Sequence, residues 1–342
     1  MRPWLLPLSP LYGAGARLYA YLYDTGLRRA WQAPVPVISV GNIAAGGTGK
    51  TPVVSWLITS LRAMGYQPAY LSRGYGRMTR GFRLVSPGDQ AATVGDEALM
   101  ISQRHPETPV GVCEDRQTGI QHLTSVHFPD LILLDDAFQH RRVARDLDWV
   151  VIDATIPPYR DSLLPGGSLR EPIGALRRAD LLIISKWTHP AQAEEVRTHL
   201  AWLDKPVAAC QPVWTSVAPA GTDVPVSPEV LADRPVILVS GIGNPAFFET
   251  QARQYGANVL HHLIFADHHP YTAGEVTAIL RVWQAHSSQQ PWLLTTEKDA
   301  TRLLPVWPAS APVPHVARLT LTWLPGWADP LAQVAAIPGL QP

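Results

Sequence analysis

The sequence predicts an α/β fold in which a mostly parallel β-sheet is flanked by helices. Apolar runs of strand length alternate with helical patterns, which is typical of βαβ units. The same alternation resumes after a stretch rich in Pro, Gly and Ser at 219–235, so a second, smaller α/β domain is expected. A length of 342 residues, 46% of them hydrophobic, is too long for one typical core and agrees with two domains.

The strands and helices can be assigned in order along the chain. Six apolar runs predict strands in the first unit: 35–40, 68–71, 109–113, 130–134, 149–152 and 181–185. Four helical patterns accompany them: 52–64, 96–104, 116–125 and 191–203. The second unit is predicted to contain strands at 236–240, 292–295 and 316–323 and helices at 245–255 and 272–285. We therefore expect an N-terminal segment at 1–33, a larger domain at 34–218 and a smaller domain at 219–342.

Charge and cysteine content exclude several classes of protein. The 28 Lys and Arg residues balance 28 Asp and Glu residues. Binding of nucleic acid through the net charge of the whole protein is therefore not expected. The two cysteines, Cys113 and Cys210, are too few for a disulfide scaffold and suit a reducing cytoplasm. His268 and His269 do not predict zinc, because adjacent side chains on an extended segment point to opposite sides.

The N-terminus predicts a short helix over about 11–29. Pro and Gly interrupt its apolar residues well below the roughly 20 residues that a membrane-spanning helix needs, and no secretory signal is expected. Leu and Tyr side chains are combined with Arg17, Arg28 and Arg29, as in helices that lie in a bilayer interface. A helix docked on the protein's own core fits the composition equally well.

A phosphate-binding loop is the strongest single motif. A β-branched strand leads into residues 44–51, which read Ala44, Ala45, Gly46, Gly47, Thr48, Gly49, Lys50 and Thr51, and a helix follows. Such a loop turns backbone N–H groups towards phosphate oxygens, with Lys50 placed for the β- and γ-phosphates and Thr51 for Mg²⁺. Ala44 stands where the usual spacing has Gly. The loop predicts a P-loop NTPase-like fold that binds a nucleotide.

Two carboxylates are predicted to serve the metal of this site. Asp135 and Asp136 follow the apolar run at 131–134 and should emerge at the carboxyl edge of the sheet. Carboxylate oxygens are the ligands that Mg²⁺ prefers. A pair of capping residues at the start of a loop is the alternative. In the metal interpretation, Asp135, Asp136 and Thr51 together form the predicted metal site.

Seven motifs together resemble the tetraacyldisaccharide 4′-kinase family, the lipid A kinases of the Gram-negative envelope. In chain order they are GGTGKTP (46–52), SRGYGR (72–77), VGDEALM (94–100), DDAFQH (135–140), LPGGSLREP (164–172), FADHHPY (265–271) and TTEKDATRL (295–303). The resemblance spans about residues 11–303. One departure is Ala137, where the family usually has Gly. The resemblance implies transfer of the γ-phosphate of ATP to the 4′-hydroxyl of a tetraacylated disaccharide 1-phosphate, with Mg²⁺.

The resemblance also implies roles for particular residues. Asp96 and His268 match a pair in which the carboxylate accepts the proton of the sugar hydroxyl; from the residues alone, Asp96 fits an acid at a helix N-terminus equally well. Lys50 and Arg170 are expected to stabilise phosphate charge during catalysis. Substrate contacts are expected from five residues: Arg73, Tyr75, Arg77, His140 and Glu171. The expected alternative for Arg170 and Glu171 is a surface ion pair, and Glu297, Lys298 and Asp299 are candidates for contact with nucleotide.

The expected partners are a lipid substrate and a membrane surface, without nucleic acid or an obligate protein partner. The implied location is peripheral, on the cytoplasmic face of the inner membrane. A switch ATPase or GTPase of the partition or metallochaperone type also uses GGxGKT, but it carries a second Lys where this chain has Ala45 and lacks SRGYG and LREP. A non-catalytic membrane-bound nucleotide sensor is the third alternative, and the intact acidic and basic residues argue against it.

Overall fold

The protein forms one twelve-stranded sheet in a computed structural model, which describes residues 3–222 and 224–340. The strands are β1 (Val37–Gly41), β2 (Pro68–Ser72), β3 (Arg83–Leu84), β4 (Val110–Val112), β5 (Leu131–Asp135), β6 (Leu147–Asp153), β7 (Leu181–Ser185), β8 (Val207–Pro219), β9 (Pro235–Ser240), β10 (Asn258–Ile264), β11 (Trp292–Thr296) and β12 (His315–Trp323). Their order is β10-β9-β11-β12-β8-β7-β6-β1-β5-β2-β4-β3. Only the β12–β8 and β3–β4 pairs of the described strands are antiparallel, which confirms the mostly parallel sheet.

Helices cover both faces of the sheet. The α-helices are α1 (Ser9–Asp24), α2 (Lys50–Ala63), α3 (Ala91–Val94), α4 (Asp96–Arg104), α5 (Arg116–His127), α6 (Pro190–Leu200), α7 (Pro245–Gln254), α8 (Ala273–Ala285), α9 (Glu297–Leu303) and α10 (Pro330–Ala335). None of the described helices is both long and apolar enough to cross a membrane. Separate buried clusters pack the two faces around β1 and β5. Trp149, Tyr70 and Phe138 are among the largest fully buried side chains.

Three strands that the sequence pattern did not indicate complete the sheet: β3, which has only two residues, β8 and β10. Strand β8 is 13 residues long and joins its two halves: residues 207–209 pair with β7, and residues 210–219 pair with β12. Strand β10 lies at the edge, where exposed His261 and half-buried His262 interrupt the apolar pattern of a strand. The predicted linker at 219–235 therefore begins where β8 ends and leads into β9.

The N-terminal helix is shorter than the expected 11–29. Helix α1 ends at Asp24 and is preceded by a 3₁₀ segment, Pro3–Leu8. Gly26 has a φ of +74°, a conformation that glycine adopts readily after a helix, and this turn stops α1 five residues early.

Candidate active site

The phosphate loop lies at the carboxyl end of the central strand β1. Gly46 (φ +117°) and Gly49 (φ +96°) have backbone angles that favour glycine, and α2 begins directly at Lys50. The Asn42 side chain donates to Thr48 Oγ1 at 2.9 Å and fixes the loop from within. The backbones of Ala44 and Ala45 pair with the segment at 168–169. Thr51, partly buried, lies in the first turn of α2. The loop and helix N-terminus thus have the form of an anion-binding site.

Asp136 lies beside the phosphate loop at the carboxyl end of β5, the neighbour of β1. Its carboxylate is 3.4 Å from Lys50 Nζ and accepts hydrogen bonds from Arg170 Nη1 at 3.0 and 3.1 Å. Burial alone would raise the pKa of Asp136, but the charges of Lys50 and Arg170 lower it below the ordinary value. Arg170 is therefore joined to Lys50 of the phosphate loop through Asp136 in one charged cluster, and its role in stabilising phosphate charge stays a prediction.

Asp135 is buried beneath this cluster and lacks full compensation of its charge. Its Oδ2 accepts a hydrogen bond from the Tyr70 hydroxyl at 2.7 Å, while Oδ1 has no partner among the residues described. Burial, followed by the repulsion of Glu97, raises the pKa of Asp135 to about 7. A divalent cation would satisfy the free oxygen and compensate the charge, so Asp135, Asp136 and Thr51 fit a Mg²⁺ site.

Asp96 and His268 form a hydrogen-bonded pair across the two halves of the sheet. His268 Nδ1 lies 2.8 Å from Asp96 Oδ2, although the residues are 172 positions apart in sequence. Asp96 opens α4 and is 5% exposed, and Arg302 Nη1 lies 3.2 Å from the same carboxylate oxygen. Burial acts to raise the pKa of Asp96; the hydrogen bond from His268 and the charges of Lys298 and Arg302 outweigh it and lower the pKa. Asp96 is therefore held as a carboxylate.

A cavity of about 390 Å³ brings these groups together. Its lining includes Asp96, Asp135, Asp136 and Arg170, and the candidate substrate residues Arg73, Tyr75 and His140. The Tyr75 ring also packs against His268, with centroids 5.2 Å apart. Burial, then the charges of Arg116 and Arg145, lower the pKa of His140 to about 4, so its ring is neutral near pH 7. Five separate chain segments thus place acids, bases and cations around one space.

Two predicted substrate residues are engaged by other side chains. Arg77 is bound to Glu114 at 2.8 Å and its side chain is 2% exposed. This ion pair holds the 72–77 loop against the segment that follows β4. Glu171 pairs with Arg178 at 2.9 Å, and it lines a second groove, of about 370 Å³, between the 139–141 segment and α1. Their contacts with substrate stay predictions.

The sequence predicts no role for three residues of the site, Arg116, Tyr70 and Arg302, and for Lys298 it predicts only contact with nucleotide. Arg116, which is 3% exposed, follows β4 and lines the cavity; its position after a parallel strand was a usable signal. Tyr70 lies inside β2 and offered no such signal. Lys298 and Arg302 lie in the TTEKDATRL motif and reach the Asp96–His268 pair. Glu297 is instead bound to Arg104 at 2.8 Å, and Asp299 to Arg302 at 2.6 Å.

Comparison with known proteins decides which enzyme family uses this arrangement. The profile of the tetraacyldisaccharide-1-P 4′-kinase family (LpxK) matches residues 1–327. The chain belongs to this family. A tetraacyldisaccharide 4′-kinase from Chlorobaculum parvum is 40% identical over 309 residues, which are 87% of this chain and 83% of that protein. Another from Chlorobium limicola is 38% identical over 311 residues, or 89% and 87% of the two chains.

A solved structure of a family member has the same fold. The crystal structure of LpxK from Aquifex aeolicus, described as an "apo" form in complex with ATP, is 28% identical to this chain, with a TM-score of 0.76. The match covers 97% of this chain and 98% of that one. Family membership confirms the resemblance and the fold class that the sequence predicted. The chain is a kinase of lipid A biosynthesis, and the switch ATPase or GTPase is not favoured.

Proposed function

We propose that the family's reaction, phosphorylation of the 4′-hydroxyl of tetraacyldisaccharide 1-phosphate to the 1,4′-bisphosphate, takes place in the cavity between the phosphate loop and the Asp96–His268 pair. ATP and Mg²⁺ are the cofactors that a kinase of this type uses. One observation carries the proposal: a buried carboxylate oriented by a histidine faces the same space as the carboxylates next to Lys50.

In this mechanism Asp96 acts on the sugar hydroxyl. It accepts the hydroxyl proton as the oxygen forms its bond to the γ-phosphorus, and the bond from that phosphorus to the bridging oxygen of ADP breaks. His268 holds Asp96 through the 2.8 Å hydrogen bond. Lys50 and Arg170 stabilise the negative charge on the phosphoryl oxygens. Mg²⁺, which Asp135, Asp136 and Thr51 would hold, neutralises phosphate charge when bound.

The nucleoside part of ATP is proposed to lie on the other side of the phosphate loop. A cavity of about 250 Å³ there is lined by Gly46 and Gly47 and by residues at the carboxyl ends of β6 and β7, including Asp153 and Lys186. Lys186 also hydrogen-bonds to the Gly47 carbonyl, and its Nζ lies 2.8 Å from Asp153. These contacts connect the phosphate loop to β6 on one side of the cavity. In sheets of this kind ligands bind outside the carboxyl ends of strands where the strand order reverses, as it does around β1.

The lipid is proposed to enter along α1 from a membrane surface, on the cytoplasmic face of the inner membrane. One side of α1 is docked: Ser9 Oγ donates to the Leu163 carbonyl at 2.8 Å and the Tyr12 hydroxyl to the Arg170 carbonyl at 3.1 Å. Another side presents apolar groups to solvent, with Leu11 76% and Leu18 61% exposed. The groove beside α1 shares Tyr12, Gln139 and Arg170 with the catalytic cavity. In this proposal α1 is docked on the protein through one side and contacts the membrane through the other.

We further propose that residues 1–33 form the membrane-associating segment, 34–218 the kinase domain and 219–342 the smaller domain. In support, the second of these boundaries lies at the end of β8, the strand that pairs with both halves of the sheet.

Membrane binding is testable by substituting the exposed side of α1 without disturbing its docked side. The double substitution Leu11→Glu with Leu18→Glu should weaken flotation with anionic vesicles by at least about tenfold, because each leucine loses roughly 1.5–3 kcal/mol of burial. The apparent KM for lipid should rise and kcat at saturating lipid should change little. Val313→Glu, at an exposed valine outside α1, is the matched control. Equal flotation of the double variant and the unsubstituted protein would place membrane contact elsewhere.

The proposed reaction is tested with γ-labelled ATP and purified tetraacyldisaccharide 1-phosphate in detergent micelles. Label should appear in the lipid, and ATP consumption should require the lipid, since the acceptor hydroxyl completes the reaction. ATP consumption that proceeds equally without lipid would instead indicate a switch-type ATPase.

A further inference from the structure

Lys298 contacts the ring nitrogen of His268 that faces away from Asp96. Its Nζ lies 3.1 Å from His268 Nε2, while Nδ1 of the same ring lies 2.8 Å from Asp96 Oδ2. The histidine thus has a partner at each nitrogen, an ammonium on one side and a carboxylate on the other. Lys298 comes from α9, which packs against α4, the helix that carries Asp96.

The chemistry of these partners determines where the ring proton lies. An ammonium group donates hydrogen bonds and has no lone pair to accept one. A contact between Lys298 and Nε2 therefore needs an unprotonated Nε2, and the single proton of the neutral ring is then on Nδ1, directed at Asp96. This tautomer allows Asp96 to remain an acceptor that is oriented by a hydrogen bond.

The surroundings of Lys298 keep it charged. Glu97 Oε1 lies 3.3 Å and Asp267 Oδ1 3.6 Å from its Nζ. Burial lowers the pKa of Lys298, but the carboxylates of Glu97, Asp96 and Asp267 outweigh burial and raise it above the ordinary value. The contact with His268 is therefore made by an ammonium ion.

Without Lys298 the ring would face an excess of negative charge. Asp96 of α4 contacts Nδ1, and Asp267, in the loop after β10, lies 3.8 Å from Nε2. Glu97 of α4 binds Lys298, Arg302 of α9 binds Asp96, and Tyr75 is an uncharged neighbour of the ring. Carboxylates close to an imidazole favour its doubly protonated form. An imidazolium bound to Asp96 would stabilise the carboxylate and weaken it as a proton acceptor.

We propose that Lys298 is a positioning residue that holds His268 as a neutral ring with its proton on Nδ1, by donating a hydrogen bond to Nε2. The proposal rests on the proposed role of the Asp96–His268 pair in accepting the substrate proton. It differs from the contact with nucleotide that the sequence suggested for Lys298.

The protonation of the ring is measurable by ¹⁵N NMR of histidine-labelled full-length protein, with the His268 signal assigned from a His268→Gln sample. At about pH 7 the unsubstituted protein should show a protonated Nδ1 and a bare Nε2, and Lys298→Met should show both nitrogens protonated. A doubly protonated or Nε2-protonated ring in the unsubstituted protein would overturn the proposal with no variant needed. So would a Lys298→Met ring that stays neutral. This readout needs no catalytic turnover, so it is independent of whether the proposed reaction holds.

Kinetics give a second readout that a merely structural role would not produce. Lys298→Met should lower kcat about tenfold near neutral pH with little change in the KM for ATP, and the loss should shrink as the pH rises and the ring gives up its extra proton. Lys298→Arg should restore most of the activity, and Lys205→Met, outside the site, is the control. A loss that is the same at every pH, or no recovery with arginine, would contradict the proposal.

Discussion

Replacing Lys50 by alanine is expected to lower kcat on the order of 10²–10³-fold, because one cation is removed from the charge that develops on the transferring phosphoryl group. Lys50 opens α2, its side chain is 10% exposed, and its Nζ lies 3.4 Å from Asp136. Arg170 remains on Asp136 in the variant and keeps that carboxylate paired. The substitution should therefore slow the phosphoryl-transfer step while the fold is retained.

The measurement is the initial rate of label transfer from ATP to lipid at saturating substrates. Thermal unfolding of the same sample checks that the fold is intact. Lys205→Ala, which removes a lysine far from the phosphate loop in sequence, is the matched control and should keep its rate. Near-normal turnover in Lys50→Ala would exclude the proposed contact of Lys50 with phosphate.

Replacing Asp96 by asparagine is expected to lower kcat by about 10²–10⁴-fold, the range that general base catalysis contributes. Asparagine keeps the shape of the side chain but cannot accept the hydroxyl proton. The KM for ATP should change little, because neither Asp96 nor His268 lines the cavity beside Gly46 and Gly47. His268→Asn should reduce kcat in the same way, with His286→Asn on the distant α8 end as its control. An unchanged kcat in either active-site variant would remove that residue from the mechanism.

Local patterns in the sequence are sufficient to predict where the phosphate loop and the neighbouring acidic residues lie. The glycines of the loop and Lys50 follow buried β1, and the two acids lie at the carboxyl end of buried β5. Parallel strands place their carboxyl ends at one edge of a sheet. Residues next to such an edge can be assigned without knowing the rest of the fold. The same reasoning, applied to the strand at 109–113, would have found Arg116.

Contacts between the two halves of the chain needed the topology. Asp96 and His268 were paired by resemblance alone, because no spacing rule connects residues so far apart. Lys298 and Arg302 reach that pair only because α9 packs against α4, and this contact depends on β8 joining the two halves in one sheet. Pro212 interrupts the sequence pattern of β8, because proline is unusual within a paired strand, and β8 was therefore not predicted. Tyr70 is buried within a strand, where an aromatic residue normally indicates only core packing.

The central claim is that Asp96 and His268, brought together from the two halves of the chain, act as one proton-accepting unit. A double-mutant cycle on kcat tests it most directly, with Asp96→Asn, His268→Asn and the double variant assayed under the same saturating conditions. Residues that act as a unit have strongly non-additive effects. The account predicts that the double variant loses little more activity than the Asp96→Asn variant alone. A double variant whose loss equals the product of the two single losses would contradict it.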